Sequence, residues 1–280
     1  MKFSFNPAKS KSFASLFEFF STKGTGEYTC SLTAMTYNIE VKDDDNGWEG
    51  RDPSKVVETI TTYNPDILGL QEDDGDWDSY LSALKGYSCY NSDGNGNENL
   101  AIYYKSDKFT LVTKGTGFYK KLAKEYTDID AKGADLSLDS KGNWDISVFA
   151  KIGRFFRYVV LEDDKGVQYL VVNTHLHYGD GTGSKYPKDE LLRDYQTRLL
   201  RRWLDNMSAD YSNQIVMGDM NATPGTQTIA ELTSNDGLVT SKQSATVKYD
   251  WGGTLVSGGH EKRDPWKFDY VLYTDENMQA

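Results

Sequence analysis

Residues 215–224, Ile215-Val216-Met217-Gly218-Asp219-Met220-Asn221-Ala222-Thr223-Pro224 (IVMGDMNATP), begin as an apolar run and break into a carboxylate and an amide two residues apart. A buried strand gains nothing by ending on such groups, because an unpaired carboxylate is costly to remove from water. The stretch therefore reads as a core strand that delivers polar groups to a site at its end. The same transition recurs elsewhere. Residues 31–39 (SLTAMTYNI) lead into Tyr37-Asn38-Ile39-Glu40, 66–71 (DILGLQ) into Gln71-Glu72, and 167–174 (VQYLVVNT) into His175-Leu176-His177, while 268–273 (FDYVLY) carries Asp269 near its start. Strand ends on a rigid sheet are where chemistry can be presented with fixed geometry.

Further strand-like runs at 99–105, 108–113, 155–162 and 213–218 are short and rich in β-branched and aromatic residues. Helical spacing appears in DPSKVVETITTYNPD, with Pro53 near its start, Val56, Val57, Ile60 and Tyr63 on one stripe, and Pro65 as a stop. It recurs in KDELLRDYQTRLLRRWLDNM, where Leu191, Leu192, Tyr195, Leu199 and Trp203 share a face. Arg193, Arg198, Arg201 and Arg202 lie mostly elsewhere on that helix and read as a solvated face rather than a nucleic-acid patch. Residues 91–99 and 179–187 are Gly/Asn/Asp-rich loops, and Lys120 to Asn143 reads as a polar insertion. Strands and helices mix without strict alternation, which implies a mixed-sheet α/β or α+β fold. Residues 1–27 read as a poorly specified N-terminal arm with one apolar patch around Phe13 to Phe20, and residues 28–280 as a single domain.

A formal net charge of -11 opposes long-range attraction to a polyanion, so any contact with nucleic acid must be local or screened by a cation. Two cysteines, Cys30 and Cys89, are too few for a disulfide framework and leave one bridge between them open. No apolar stretch approaches the roughly 20 residues of a transmembrane span. The N-terminal region lacks a continuous apolar signal core, being broken by Asn6, Pro7, Lys9 and Lys11, and a cytoplasmic location is the default expectation. Oligomeric state is not legible.

Each polar strand end has an innocent explanation when taken alone. Asn38 could close a turn, Asp219 and Asn221 could satisfy turn backbone, and His175 could be a hydrogen-bonded core histidine. Together, carboxylates and Asn amides without a cysteine cluster form a hard oxygen-donor set suited to Mg²⁺ or Mn²⁺, with Glu72 as main ligand; the histidines leave a zinc-type site as the alternative. Phosphodiester hydrolysis needs an in-line water, a carboxylate to orient it, and donors around the oxygens where charge builds. Asp219 would hold that water, and Asn221 and His175 would donate to the phosphate.

The motifs MTYNIE (35–40), NPDILGLQE (64–72), NLAIYYKSDKF (99–109), GRFFRYVVLE (153–162), VVNTHL (171–176), IVMGDMNATP (215–224) and FDYVL (268–272), in this order, resemble the endonuclease/exonuclease/phosphatase superfamily of magnesium-dependent phosphodiesterases, which includes pancreatic-type deoxyribonucleases. The resemblance implies a four-layer α/β sandwich: two mixed β-sheets face to face, helices outside, and the site at one edge. It implies that Asn38 and Glu72 lie on the metal and phosphate side and that His175 contacts phosphate. It further implies that Asp219 with Asn221 orients water, that Asp269 supports a later histidine, and that Arg154 clamps phosphate, with Arg157 its competitor.

The sequence departs from that family at its end. The family pattern continues to a Ser-Asp-His element, whereas the only histidines here are His175, His177 and His260, none of them after Asp269. The expectation is a domain truncated at its C-terminus, or one in which His260 or His177 stands in, with impaired or absent turnover. The substrate expected is a phosphodiester, with nucleic acid first and a phospholipid or phosphoinositide head group second. A non-catalytic fragment or degenerate member is the remaining alternative.

Overall fold

The structure, a computed structural model, describes residues 15–22, 28–40, 52–73, 75–91, 100–131, 154–178, 187–234, 237–240, 268–274 and 278–279. Among these residues the strands form two mixed six-stranded sheets. The first runs in the order β12 (Met278–Gln279), β1 (Ser15–Thr22), β2 (Tyr28–Asn38), β3 (Ile67–Gln71), β5 (Leu100–Lys105), β4 (Tyr87–Tyr90). The second runs β10 (Val239–Thr240), β11 (Asp269–Tyr273), β9 (Gln214–Asp219), β8 (Gln168–His175), β7 (Phe155–Asp163), β6 (Phe109–Phe118).

Each sheet contains one parallel pair, β2 with β3 and β8 with β9, and the remaining pairs are antiparallel. Parallel neighbours cannot be joined by a hairpin and need a crossover, usually helical. The helix α1 (Pro53–Tyr63) supplies one crossover and α4 (Pro187–Met207) the other. Helix α1 starts where the Asp52 side chain accepts the Ser54 N–H at 2.9 Å, with Pro53 in the first turn. It stops at Asn64, whose left-handed backbone (φ 46°) caps the last turn before Pro65.

Period-two alternation sorts the strand residues into layers. Ala34, Ile67, Val171, Ile215, Met217 and Val271 pack between the sheets. Met35, Tyr37, Leu68 and Leu70 face outward under α1 and α2 (Asp78–Leu81). Leu170, Val172 and Val216 pack outward against α4, α3 (Tyr119–Glu125) and α5 (Gln227–Thr233). Covered on both faces, β3 and β9 are buried along their whole length, which is why they read as continuous apolar runs. The result is the expected four layers: helix, sheet, sheet, helix.

The stretch Ser15–Thr22, within the segment read as an arm, is a strand paired with β2 from Ser15↔Thr36 to Thr22↔Tyr28. A strand that gains its hydrogen bonds from a neighbour leaves little local pattern to find. The polar insertion begins with α3, and its residues 132–143 lie outside the described ones. The solvated reading of the α4 arginines holds for Arg202, which is exposed, and is corrected for Arg193, with Arg198 and Arg201 partly covered. Arg193 is fully buried, bonding Glu190 and the His177 carbonyl, and Arg198, Arg201 and Arg202 pair with Asp194, Asp205 and Asp128. Cys89 is a free thiol, so it makes no bridge to Cys30.

Candidate active site

Strand parity places the site. Residues 34, 36 and 38 of β2, 67, 69 and 71 of β3, 171, 173 and 175 of β8, and 215, 217 and 219 of β9 all point into the gap between the sheets. Along this inner face the side chains change from apolar to amide and then to ionisable. Below the mouth, Asn173 donates to the carbonyls of Leu70 at 2.7 Å and Ala101 at 2.8 Å, and its Oδ1 accepts from Gln71 Nε2 at 2.7 Å. Gln71 also donates to Thr36 Oγ1 at 3.0 Å. This buried amide network ties the sheets together directly beneath the polar groups.

At the mouth, Asn38 Nδ2 donates to Glu72 Oε1 at 2.9 Å and to Asp219 Oδ2 at 3.0 Å. Its Oδ1 accepts the Glu40 N–H at 3.0 Å, which fixes the amide orientation, since only NH₂ can serve two carboxylates. Glu72 and Asn221 both adopt left-handed backbone, φ 61° and 49°, as the chain turns sharply out of β3 and past β9. Such conformations are uncommon for non-glycine residues and concentrate at functional turns. Asn221 closes its turn by donating its N–H to Asp219 Oδ1 at 2.8 Å, while one N–H of its amide goes to the Leu176 carbonyl at 3.1 Å. Gly218 allows the final strand residues to approach β8, because a Cβ there would lie 1.9 Å from the Thr174 carbonyl oxygen and its φ is +149°.

His175 and Asp219 are register partners across the parallel pair β8 and β9, with His175 Nε2 3.8 Å from Asp219 Oδ2. Asp269 is the partner of Asp219 on its other side, and all three are buried. Burial and the nearby Arg154 charge push the His175 imidazole down to about 3, against the opposing pull of Glu72, so it is neutral near pH 7. Its Nδ1 is buried with no hydrogen-bond partner among the described residues. Burial raises the Asp219 carboxyl above the usual range, opposed by Asn38, the Asn221 N–H and Arg154. Arg154 immediately precedes β7; desolvation lowers its pKa while Asp219 and Glu72 pull it back up, which places the guanidinium within their electrostatic reach.

Four of the expected residues, Asn38, Glu72, Asp219 and Asn221, are therefore joined by hydrogen bonds at one mouth, with His175 and Asp269 flanking Asp219 in the sheet and Arg154, at the start of β7, within electrostatic reach of the carboxylates. Arg157 does not join them. It is buried between the sheets, donating through Nε to the Leu100 carbonyl at 2.7 Å and lying over Tyr90. His177 is directed elsewhere as well: its Nε2 lies 3.0 Å from Asp189 Oδ1 on α4. His260 lies outside the described residues. Two participants escaped the sequence reading. Asn173 was detectable as an amide at an inward position of an apolar strand. Tyr119, whose hydroxyl lies 2.7 Å from Thr174 Oγ1, left no signal of its own.

Among the described residues no group of three His, Cys, Asp or Glu side chains could hold a metal ion. Glu72 offers the single carboxylate that Mg²⁺ accepts when water and phosphate oxygens fill its other positions, while Asn38 turns its NH₂ toward Glu72 and its oxygen toward the Glu40 N–H, so it would orient that ligand rather than bind the ion. The residues fit such an ion.

The sequence profile of the Endonuclease/Exonuclease/phosphatase family matches residues 35–279. No curated protein matches at a significant level. Among solved structures, an endonuclease/exonuclease/phosphatase family protein from Bacteroides thetaiotaomicron superimposes with a TM-score of 0.66 at 19% identity, covering 94% of this chain and 83% of the other. A mannosyl-6-phosphatase from Bacteroides thetaiotaomicron VPI-5482 gives 0.66 at 21% identity, covering 87% and 85%. The catalytic domain of human Nocturnin with bound sulfate gives 0.56 at 21% identity, covering 86% and 82%. At these identities the likeness establishes the fold, and the profile match over most of the length establishes the rest: the chain belongs to the Endonuclease/Exonuclease/phosphatase family of phosphoesterase hydrolases.

Proposed function

We propose that this protein is a magnesium-dependent phosphodiester hydrolase, with nucleic acid strands as its leading substrate class. The observation that carries the reading is the meeting of Asn38, Glu72, His175 and Asp219, drawn from four strands of two sheets, with Arg154 beside them. Glu72, oriented by Asn38, would hold Mg²⁺ or Mn²⁺, and an ion bound there would neutralise charge on phosphoryl oxygens. Asn38 is engaged as a donor to two carboxylates, so it acts on the ion chiefly by positioning Glu72.

Asp219 orients the attacking water and takes its proton, a role suited to a carboxyl whose proton affinity is raised by burial. His175, being neutral, donates a single N–H to a phosphoryl oxygen. The 3.8 Å between its Nε2 and Asp219 Oδ2 lets both groups contact one shared oxygen. Arg154 clamps a second oxygen and offsets the charge that builds there. Asn221 fixes Asp219 through the bond from its N–H, and Asp269 stands beside Asp219 on β11.

A second reading, hydrolysis of a small phosphate monoester, is favoured by the net charge of -11 and by an α4 whose four arginines are paired with carboxylates. Both readings are tested by turnover of bis-p-nitrophenyl phosphate, p-nitrophenyl phosphate, plasmid DNA and a phosphoinositide, in Mg²⁺ and in EDTA. Metal-dependent diester hydrolysis that disappears in Asp219→Ala supports the first. Monoester turnover alone moves the assignment to the second. Turnover that ignores EDTA, or survives in Asp219→Ala, contradicts both.

A further inference from the structure

Tyr178 is the most exposed of the large hydrophobic residues described, at 67%. An exposed tyrosine by itself needs no explanation. This one differs in how it is held and in what lies beside it. It follows His175 by three residues, and its ring packs against His177 with centroids 4.8 Å apart and planes tilted by 47°.

His177 is itself fixed from three directions. Its Nε2 meets Asp189 Oδ1 at 3.0 Å, its backbone N–H donates to Gln196 Oε1 at 3.0 Å, and its carbonyl accepts from Arg193 Nη1 at 3.2 Å. Arg193 is locked in turn by Glu190 at 2.8 Å. The support behind Tyr178 is thus a set of charged and amide groups on α4, with Arg193 and Gln196 buried and Asp189 and Glu190 partly covered, while much of Tyr178 is open to solvent. Tyr178 lies on the chain that leaves β8 at the mouth, three residues beyond His175. An aromatic surface backed in this way at the rim of a phosphate site loses little conformational freedom when it stacks on a ligand.

We propose that Tyr178 is a specificity-determining shelf that binds the ring of a phosphate ester, a nucleobase or the apolar face of a sugar, while Arg154 and His175 hold its phosphate. This inference rests on the phosphoesterase reading and narrows it to ring-bearing substrates over alkyl or glycerol esters. His177 and Asp189 are positioning residues here: they set the shelf without touching the ligand.

The test is calorimetric binding of adenosine 5′-monophosphate, glucose 6-phosphate and methyl phosphate to the full chain in Mg²⁺, for the native protein and for Tyr178→Ala and Tyr178→Phe. Binding, unlike turnover, does not require an active enzyme. We expect at least one ring-bearing phosphate to bind about tenfold more tightly than methyl phosphate, as stacking on one aromatic side chain allows. That ratio should fall close to one in Tyr178→Ala and persist in Tyr178→Phe. Preference for the nucleotide alone identifies a base shelf, and preference for the hexose alone a sugar shelf. Methyl phosphate binding with no added affinity from either ring, or a ratio that survives Tyr178→Ala, overturns the shelf and leaves the phosphate site standing. Failure of all three phosphates to bind overturns both.

Discussion

Replacing Asn173 by leucine removes the clasp between the sheets while nearly preserving side-chain shape. Three buried hydrogen bonds are lost, to Leu70 O, to Ala101 O and from Gln71 Nε2. At about 1 kcal/mol net for each bond, the expected loss is about 3 kcal/mol. Gln71 limits the damage because its amide keeps Thr36 Oγ1 and the Gly69 carbonyl as partners. For a chain of this size the loss corresponds to a Tm decrease of roughly 6–12 °C. Asn173→Asp is the sharper probe, since it turns an acceptor toward two carbonyl oxygens and forces a buried carboxyl to be neutral. Its folded pKa then lies above its unfolded pKa, so the folded state binds the extra proton and stability rises as pH falls. Urea unfolding followed by circular dichroism at pH 7 and pH 5 should rank native above leucine above aspartate at pH 7, with the aspartate variant gaining at pH 5. A leucine variant within about 0.5 kcal/mol of the native protein, or an aspartate variant as stable as leucine at pH 7, would refute the clasp.

Gly218→Ala should cost more than about 3 kcal/mol, because the new Cβ meets the backbone carbonyl of Thr174. Gly69→Ala should cost less, since its nearest neighbour is the flexible Met217 side chain; thermal unfolding of the two variants checks the order. Asp66 is buried, which raises its carboxyl, but Lys108, the Thr33 N–H and Lys105 outweigh burial and hold its pKa below the ordinary value. Its contribution is therefore complete above about pH 4 and is lost as pH falls through the folded value. Asp66→Asn should lose about 2 kcal/mol at pH 7 and show a shallower acid limb in the pH dependence of unfolding. His175 behaves in the same acid direction for a different reason: the unfolded chain takes up a proton near 6.5 and the folded chain only near 3, so stability declines as pH drops through that window. Its imidazole resonances should stay unprotonated from pH 8 to pH 5, and Arg154→Ala should raise its pKa by removing a neighbouring positive charge.

Much of the fold was legible because burial on both faces leaves a simple trace. The runs that became β3, β8 and β9 are apolar, and His175 and Asp219 fall at strand ends with inward parity; Glu72, one residue past Gln71 and out of that parity, sits where a left-handed backbone turns the chain, and was placed with them by its position at the end of an apolar run. Helix α1 was legible from Pro53, its apolar stripe and the stop at Pro65, all of which act locally. What stayed hidden depends on partners distant in the chain. Strand β1 is defined by its pairing with β2, and Arg193 looked solvated until the loop carrying His177 and the carboxylate of Glu190 enclosed it. Arg154 and Arg157, three residues apart at the start of one strand, could not be separated by type. Arg157 lies within the strand and turns into the inter-sheet gap, whereas Arg154 stands just outside it, near the carboxylates.

The most direct test of the central claim is titration of Mn²⁺ into the native protein and into Glu72→Ala, followed by electron paramagnetic resonance of the free ion. The account predicts one site in the native protein that Mg²⁺ displaces, and loss of that site in Glu72→Ala while the variant remains folded. Equal Mn²⁺ binding by both proteins, or none by the native protein, would contradict the assignment of Glu72 and, with it, the metal-assisted site built around Asn38, His175 and Asp219.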